Sequence, residues 1–201
     1  MSAYPIAYDQ SPPIKRSRLT VFFRWLLIIP HFIWAMLYGL AATVVVFIAW
    51  FALLFTGRYP AGMYEFVAGY ARFYTRLNAY TYLVVDQYPP FDGGEHAEYP
   101  VRLNIGPPQE KYSRLLVFFR FILVIPVFIF IYVLSIWIQV VAIAIWFVAV
   151  IMGKTGAGLT EAMRFPMSYT ARGYAYTLLL TDKYPPVSET EPLPHLSQPA
   201  A

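Results

Sequence analysis

The chain contains no cysteine, which excludes disulfides, thiolate metal sites and iron–sulfur clusters and removes any redox clue to its compartment. Charge is scarce as well: 13% of the 201 residues are charged and 59% are hydrophobic, where soluble domains carry about 25% charged residues. The scarcity is concentrated. No Asp, Glu, Lys or Arg falls within residues 25–57 or 121–153, two uncharged runs of 33 residues each. A bilayer span needs about 20 apolar residues, and a buried core helix seldom has more than about 14 in one run, so both runs read as membrane segments. Their length, and the lack of a small-residue cleavage site after the first, argue against a secretory signal. Also missing are metal-ligand spacing, a G-x-S-x-G elbow and a phosphate-cradling glycine loop, and the apolar runs hold no carboxylate pair. The reading is accordingly no enzyme, no cofactor and no metal.

What the chain does have is a repeat. Shifted by 96 residues, 17–91 pairs without gaps with 113–187 and is identical at 29 of 75 positions. The shared words include R-L-x-V-F-F-R at Arg18 and Arg114, W-F at Trp50 and Trp146, and Y-P-P at Tyr88 and Tyr184. One structural unit is therefore used in tandem. Composition divides the chain into a flexible N-terminal arm at 1–15, a membrane repeat at 16–91, a polar linker at 92–111, a second membrane repeat at 112–187 and a disordered tail at 188–201. Within the linker, the alternation over Val101–Ile105 reads as a short strand.

Each apolar run is awkwardly sized. As one helix it extends about 50 Å against roughly 30 Å of hydrocarbon. A hairpin of two spans fits if Arg24 snorkels to the interface and the chain turns near Gly39 and near Ser135. It also collects every Lys and Arg on one side, as the positive-inside rule asks, whereas one crossing per repeat leaves orientation ambiguous. Pro30 and Pro126, at matched positions, favour a kink in either case. Gly57 and Gly153 predict helix ends. Beyond them, Phe66, Tyr70, Phe73, Leu77, Tyr80 and Val84 form a stripe opposite Glu65, Ala68, Arg72 and Arg76, the pattern of an amphipathic helix at the headgroup layer. Pro166 predicts an interruption of its counterpart. The fold class expected is an all-α membrane protein: a tandem repeat of a long hydrophobic helical hairpin, or kinked helix, followed by an amphipathic interfacial helix.

The repeat also filters candidate sites. Six charged positions keep their sign across the shift: Arg18 and Arg114, Arg24 and Arg120, Arg58 and Lys154, Glu65 and Glu161, Arg76 and Arg172, Asp86 and Asp182, whereas Arg16 and Arg72 do not. Two readings compete. The basic members anchor helix ends at anionic headgroups while the acids serve helix termini or pair with them, or Glu65, Glu161, Arg76 and Arg172 form a charged site between repeats. Glu and Arg eleven residues apart are roughly 16 Å apart along a helix, so the second reading requires pairing across the repeats. Thr43 and Gln139, mid-run, fit bonding to a neighbouring helix or backbone better than a permeation path. The motif Asp86, Tyr88, Pro89, Pro90, repeated as Asp182, Tyr184, Pro185, Pro186, reads as a helix stop or as a proline-rich docking epitope. His31 has Val127 as its counterpart.

The combination of R-L-x-V-F-F-R, I-P-H at 29–31, W-F-A-L-L-F-T-G-R-Y-P at 50–60 and D-Q-Y-P-P-F at 86–91 resembles a bacterial membrane-protein family known as domain of unknown function number four-three-eight-nine. The resemblance implies an integral membrane protein occurring in one- and two-copy forms, and brings no activity and no catalytic residues. The second copy departs from it, with Val127 in place of the histidine and G-K-T-G at 153–156 in place of G-R-Y-P.

The function expected is a membrane scaffold or membrane-organising module without catalytic activity, in the bacterial cytoplasmic membrane, multi-pass, with cytoplasmic termini. Short wedges followed by a surface helix resemble in layout the reticulon-like curvature proteins, by analogy only. The alternatives are a transport or channel subunit built from the two repeats and an accessory subunit of a larger membrane complex. The partners expected are lipids with anionic headgroups and a homo-oligomer or larger complex. The net charge of +4 suits headgroups rather than nucleic acid.

Overall fold

A computed structural model describes residues 4–11 and 15–188; the expectations for 1–3, 12–14 and the tail from 189 lie outside the described residues. Each repeat opens with a short helix, α1 (Arg18–Phe22) or α5 (Arg114–Phe118). Ser17 and Ser113 cap them, accepting from the N–H of Thr20 and Leu116 and so satisfying a donor that a helix start leaves open. Both break at a phenylalanine, Phe23 or Phe119, with ψ of 11° and 9°. Helix then resumes as α2 (Arg24–Leu27) and α3 (Ile29–Thr56) in the first repeat and as α6 (Arg120–Met152) in the second. Gly57 and Gly153 end the long helices at φ 70° and 68°, left-handed values that glycine adopts without a Cβ clash.

The apolar run is therefore helical throughout in both repeats, stepped once at Ile28 in the first and continuous in the second, and the preferred hairpin is corrected. Helix passes straight through Gly39 and Ser135. Gly39 serves close approach instead of a turn: a Cβ there would lie 2.9 Å from the Tyr70 hydroxyl of the next helix. Ser135 Oγ donates to the Tyr132 carbonyl, 2.7 Å away on its own helix. Among the described residues two helices, Arg24–Thr56 and Arg120–Met152, are long and apolar enough to cross a membrane.

The helices that follow, α4 (Ala61–Thr81) and α7 (Ala157–Thr177), are not surface helices. Phe73, Leu77, Tyr80 and Val84 are buried as the stripe predicts, but so are Ala68 and Arg76 on the other side, while Phe66 is exposed. Pro166 does not interrupt α7. The carbonyl its missing N–H would have served, that of Ala162, accepts from Trp137 Nε1 at 3.2 Å. The equivalent carbonyl in the first repeat, Phe66, accepts from the Tyr38 hydroxyl at 3.2 Å.

Burial on both sides of α4 comes from a small sheet. The arm expected to be loose supplies β1 (Ile6–Gln10), which pairs antiparallel with β2 (Val101–Ile105), Tyr8 opposite Leu103 and Ala7 opposite Asn104, so the fold is mainly helical and not all-α. Those two pairs exchange under the 96-residue shift, so the two-fold relation between the repeats passes through the sheet. Ile6, Leu103 and Ile105 pack with Tyr64, Val67 and Ala68 of α4 and with Ala171 and Ala175 of α7. On its other side α4 meets α3, where Tyr38 lies 5.2 Å from both Phe66 and Tyr70.

The long helices run antiparallel, each repeat's start lying against the end of the other's long helix. Arg16 N–H donates to the Gly153 carbonyl and Tyr112 N–H to the Gly57 carbonyl, both at 2.9 Å. Phe22 stacks on Trp146, and Trp50 Nε1 donates to the Val117 carbonyl at 3.0 Å. The result is three layers: long helices, then α4 with α7, then the sheet. A narrow stripe of each long helix, including Ile28, His31, Ala42, Ala49 and Leu53 in the first, is buried, while Trp25, Phe32, Leu40, Phe47 and Phe55 are exposed.

Candidate functional site

After α4 the chain turns at Leu83, φ 61°, and after α7 at Leu179, φ 64°. Val84 N–H then bonds the Ala79 carbonyl and Leu180 N–H the Ala175 carbonyl, a helix-ending pattern that usually holds glycine. A bulky residue in this backbone region is strained, and here the turn directs carbonyls at an arginine. Arg24 Nη1 donates to the carbonyls of Tyr80 (2.7 Å) and Val85 (2.6 Å), and Nη2 to Asp86 Oδ1 (2.7 Å). Its guanidinium lies 4.2 Å from the Tyr80 ring centroid. Arg24 is thus folded into its own repeat and does not snorkel.

Asp86 is shared. It also takes Arg16 Nη1 at 2.8 Å and, through Oδ2, the Ser17 N–H at 3.3 Å. Arg16 extends the centre into the second repeat by donating from Nε to Thr155 Oγ1 at 2.6 Å. The second repeat repeats the frame with fewer charges. Arg120 Nη2 donates to the Thr181 carbonyl at 3.1 Å, its guanidinium lies 3.8 Å from the Tyr176 centroid, and Asp182 accepts the Ser113 N–H at 3.2 Å. Arg120 Nε and Nη1 meet no acceptor among the described residues; the ring face stands in for one. Burial pushes the phenols of Tyr80 and Tyr176 up, against the pull of the arginine each one carries.

The other repeated charges go elsewhere. Arg18 lies by Gly153 and Arg114 by Gly57, Lys154 bridges to Lys15 through the backbone, and Arg58 is exposed. The inter-repeat cluster of Glu65, Glu161, Arg76 and Arg172 does not form. Glu65 is exposed and Glu161 pairs with Arg164 at 2.9 Å on α7. Arg76 bonds the carbonyls of Asp92 and Gly94, and Arg172 those of Ser168 and Ser188. Arg76 thus reaches the segment beyond its own helix, while Arg172 bonds one carbonyl inside its helix and one beyond it. Burial pulls the Arg76 guanidinium down, opposed by the Asp92 carboxylate.

The proline motif folds back on its own long helix. Tyr88 donates to the Leu27 carbonyl (3.2 Å), and His31 Nε2 donates to the Pro89 carbonyl (2.8 Å) with Phe91 stacked on its ring at 4.0 Å. Pro89 and Pro185 are buried, Pro90 and Pro186 half-buried, and Tyr88 and Tyr184 exposed. Thr43 and Gln139 bond carbonyls four residues earlier in their own helices. They line two separate cavities related by the repeat, one with Arg120, Thr177 and Trp50, the other with Arg24, Thr81 and Trp146. The repeat filter missed Arg16, whose counterpart is Tyr112, and the ring partners Tyr80 and Tyr176, whose identity across the repeats was the available signal.

These features define a class: a two-fold tandem of helical repeats, each locking its broken long helix to the end of its second helix through a ring-stacked arginine and a capping aspartate. The chain belongs to the family described as Domain of unknown function (DUF4389), whose model matches it twice, at residues 18–92 and 114–189. No curated protein and no solved structure matches the chain.

Proposed function

We propose that the protein is a non-catalytic, membrane-embedded organising module of the bacterial cytoplasmic membrane, which perturbs lipid packing by inserting its two long helices. The observation that carries this reading is the continuous apolar surface of those helices, from Leu19 to Phe55 and from Leu115 to Met152, in which Trp25, Leu26, Leu40, Phe55, Phe121, Ile122 and Ile151 are each more than 60% exposed. Contiguous apolar patches of that extent are rare on soluble monomers and mark a membrane or an interface. The internal chemistry supports the same role, because Asp86, Arg16 and Arg24 are spent on one another and on nearby carbonyls. Thr43 and Gln139 line separate cavities, which offers little to a transported solute. Purified protein reconstituted into vesicles containing anionic lipid tests the proposal. The expected outcome is dose-dependent change in vesicle shape, seen by electron cryomicroscopy, without leakage of ions or a small dye. Selective flux at unchanged vesicle shape would establish the transport alternative instead.

A further inference from the structure

We infer that the two long helices lie flat in one leaflet, parallel to the bilayer plane, so that the protein is monotopic. The inference rests on the membrane reading above and names the geometry of the contact. It begins at the midpoints of the helices. Trp34 Nε1 donates to the Phe91 carbonyl at 2.8 Å, and the Tyr38 hydroxyl sits where a Cβ on Gly69 would fall, beside Gly93. At the level of Trp34 and Tyr38 the chain therefore places Asp92, whose side chain is 60% exposed, and, nearby, the Arg72–Glu95 ion pair at 2.9 Å, with Glu95 73% exposed. The second repeat does the same by other means. Trp137 bonds the Ala162 carbonyl, and next to Ala162 lies the Glu161–Arg164 pair, 66% and 40% exposed.

Tyr38 and Trp137 both lie near the middle of their 33-residue runs. Were the helices upright, these exposed carboxylates would sit near the centre of roughly 30 Å of hydrocarbon, where a charge is strongly disfavoured. Laid flat, the same helices put their exposed apolar arcs into acyl chains while the linker, α4, α7 and the sheet stay in water. Interfacial helices bury their apolar face about 5–10 Å deep.

Charge at the ends agrees. Lys15, Arg18 and Lys154 gather at one end of the helix pair, and Lys111 and Arg114 meet Gly57, next to Arg58, at the other. Upright antiparallel helices would divide these cations between opposite faces. Flat helices bring them all to one headgroup layer, where basic residues are attracted to an anionic surface.

The native chain has no cysteine, so single cysteines at Arg58, Gln87 and Glu95, all exposed, report on the two ends and the middle. The full-length protein is expressed in cells, and its membranes are washed with carbonate and prepared as right-side-out and inverted vesicles. A membrane-impermeant maleimide is then added. All three variants are expected to label from the same face and none from the other. Labelling of R58C and Q87C from opposite faces, with E95C silent until detergent is added, would overturn the flat arrangement and leave the membrane reading standing. Recovery of the protein as a soluble dimer after the wash would instead mean that a second copy covers the apolar face, and the membrane reading would fall with it. Polarised infrared spectra of the unsubstituted protein in oriented bilayers give a second readout. Long helices near the membrane plane are expected, and a helix tilt within about 40° of the normal, the range of spanning helices, would contradict the inference.

Discussion

The two arginine centres occupy equivalent places and are built differently. In the first repeat a carboxylate holds two guanidinium groups, and one of them, Arg16, reaches across to Thr155. In the second, Tyr112 stands where Arg16 stands in the first, and its hydroxyl donates to the Leu180 carbonyl at 3.3 Å, the equivalent of the Val84 carbonyl that Arg16 Nη2 contacts at 3.3 Å. Tyr59 takes the place of Thr155 and packs edge-on to Tyr112. The lesson is that the junction between repeats needs a donor to one carbonyl and a filled volume, and that an ion-pair network or an aromatic cluster serves equally. What both copies retain is the arginine over a tyrosine ring and the aspartate at the helix start.

The sharpest way to break this comparison is to remove the two aspartates in turn. Asp86→Ala leaves two buried guanidinium groups without their carboxylate and is expected to cost about 3 kcal/mol. Asp182→Ala loses chiefly a capping bond and costs about 1 kcal/mol. Thermal unfolding of both variants in detergent measures the gap, and equal losses would show that the second centre is as charge-dependent as the first. A smaller contrast separates Thr155→Ala from Tyr59→Phe. The first deletes a charge-assisted hydrogen bond and is expected to cost about 1.5 kcal/mol. The second removes only a 3.5 Å contact to the Leu178 carbonyl and should stay within about 0.5 kcal/mol in the same assay.

Alkali also separates the two junctions. Burial pushes the Tyr112 phenol up to about 12, partly opposed by the hydrogen bond with the Gln109 backbone. A group raised in the folded state contributes stability that is complete below its ordinary value near 10 and disappears as pH rises through the folded value. Unfolding monitored between pH 9 and about 12 should therefore show a shallower alkaline loss for Tyr112→Phe than for the parent, whereas Arg16→Met should leave that slope unchanged. The smallest effect belongs to Asp92. A hydrogen bond from His96, helped by the Gly94 N–H, holds its carboxyl below the usual carboxylate range. Its contribution is present above that range and is lost as pH falls through the depressed value, so Asp92→Asn should slightly flatten the acid limb of stability.

Much of the fold was legible because it follows from composition and spacing. The uncharged runs, the glycine stops at Gly57 and Gly153, and the strand at Val101–Ile105 are local signals with local causes. The hairpin reading erred because length and charge asymmetry cannot distinguish a glycine that turns the chain from one that admits Tyr70. The interfacial reading of α4 erred because a helix covered by short, partly polar segments looks amphipathic, and the covering pieces lie outside it in the chain: β2 of the linker packs on α4, and β1 of the arm packs on α7. At the centres, Arg24, Arg120, Asp86 and Asp182 stood out by repetition. Arg16 did not, since the filter discards a residue whose role a different side chain fills in the other copy. Leu83 and Leu179 carried no warning at all, because their left-handed backbone is imposed by the arginine and carbonyl arrangement around them.

The symmetric sheet has a consequence for ancestry. Because β1 and β2 are equivalent under the shift and pair in a register that maps onto itself, a single repeat preceded by one such strand would have nothing of its own to pair it with. Two single-repeat chains would restore the same ladder, strand to identical strand. The tandem protein is in this sense a homodimer whose subunits have been joined end to end, and the joining relieved each half of having to match itself, which is why an arginine and a tyrosine can now face equivalent carbonyls in one molecule.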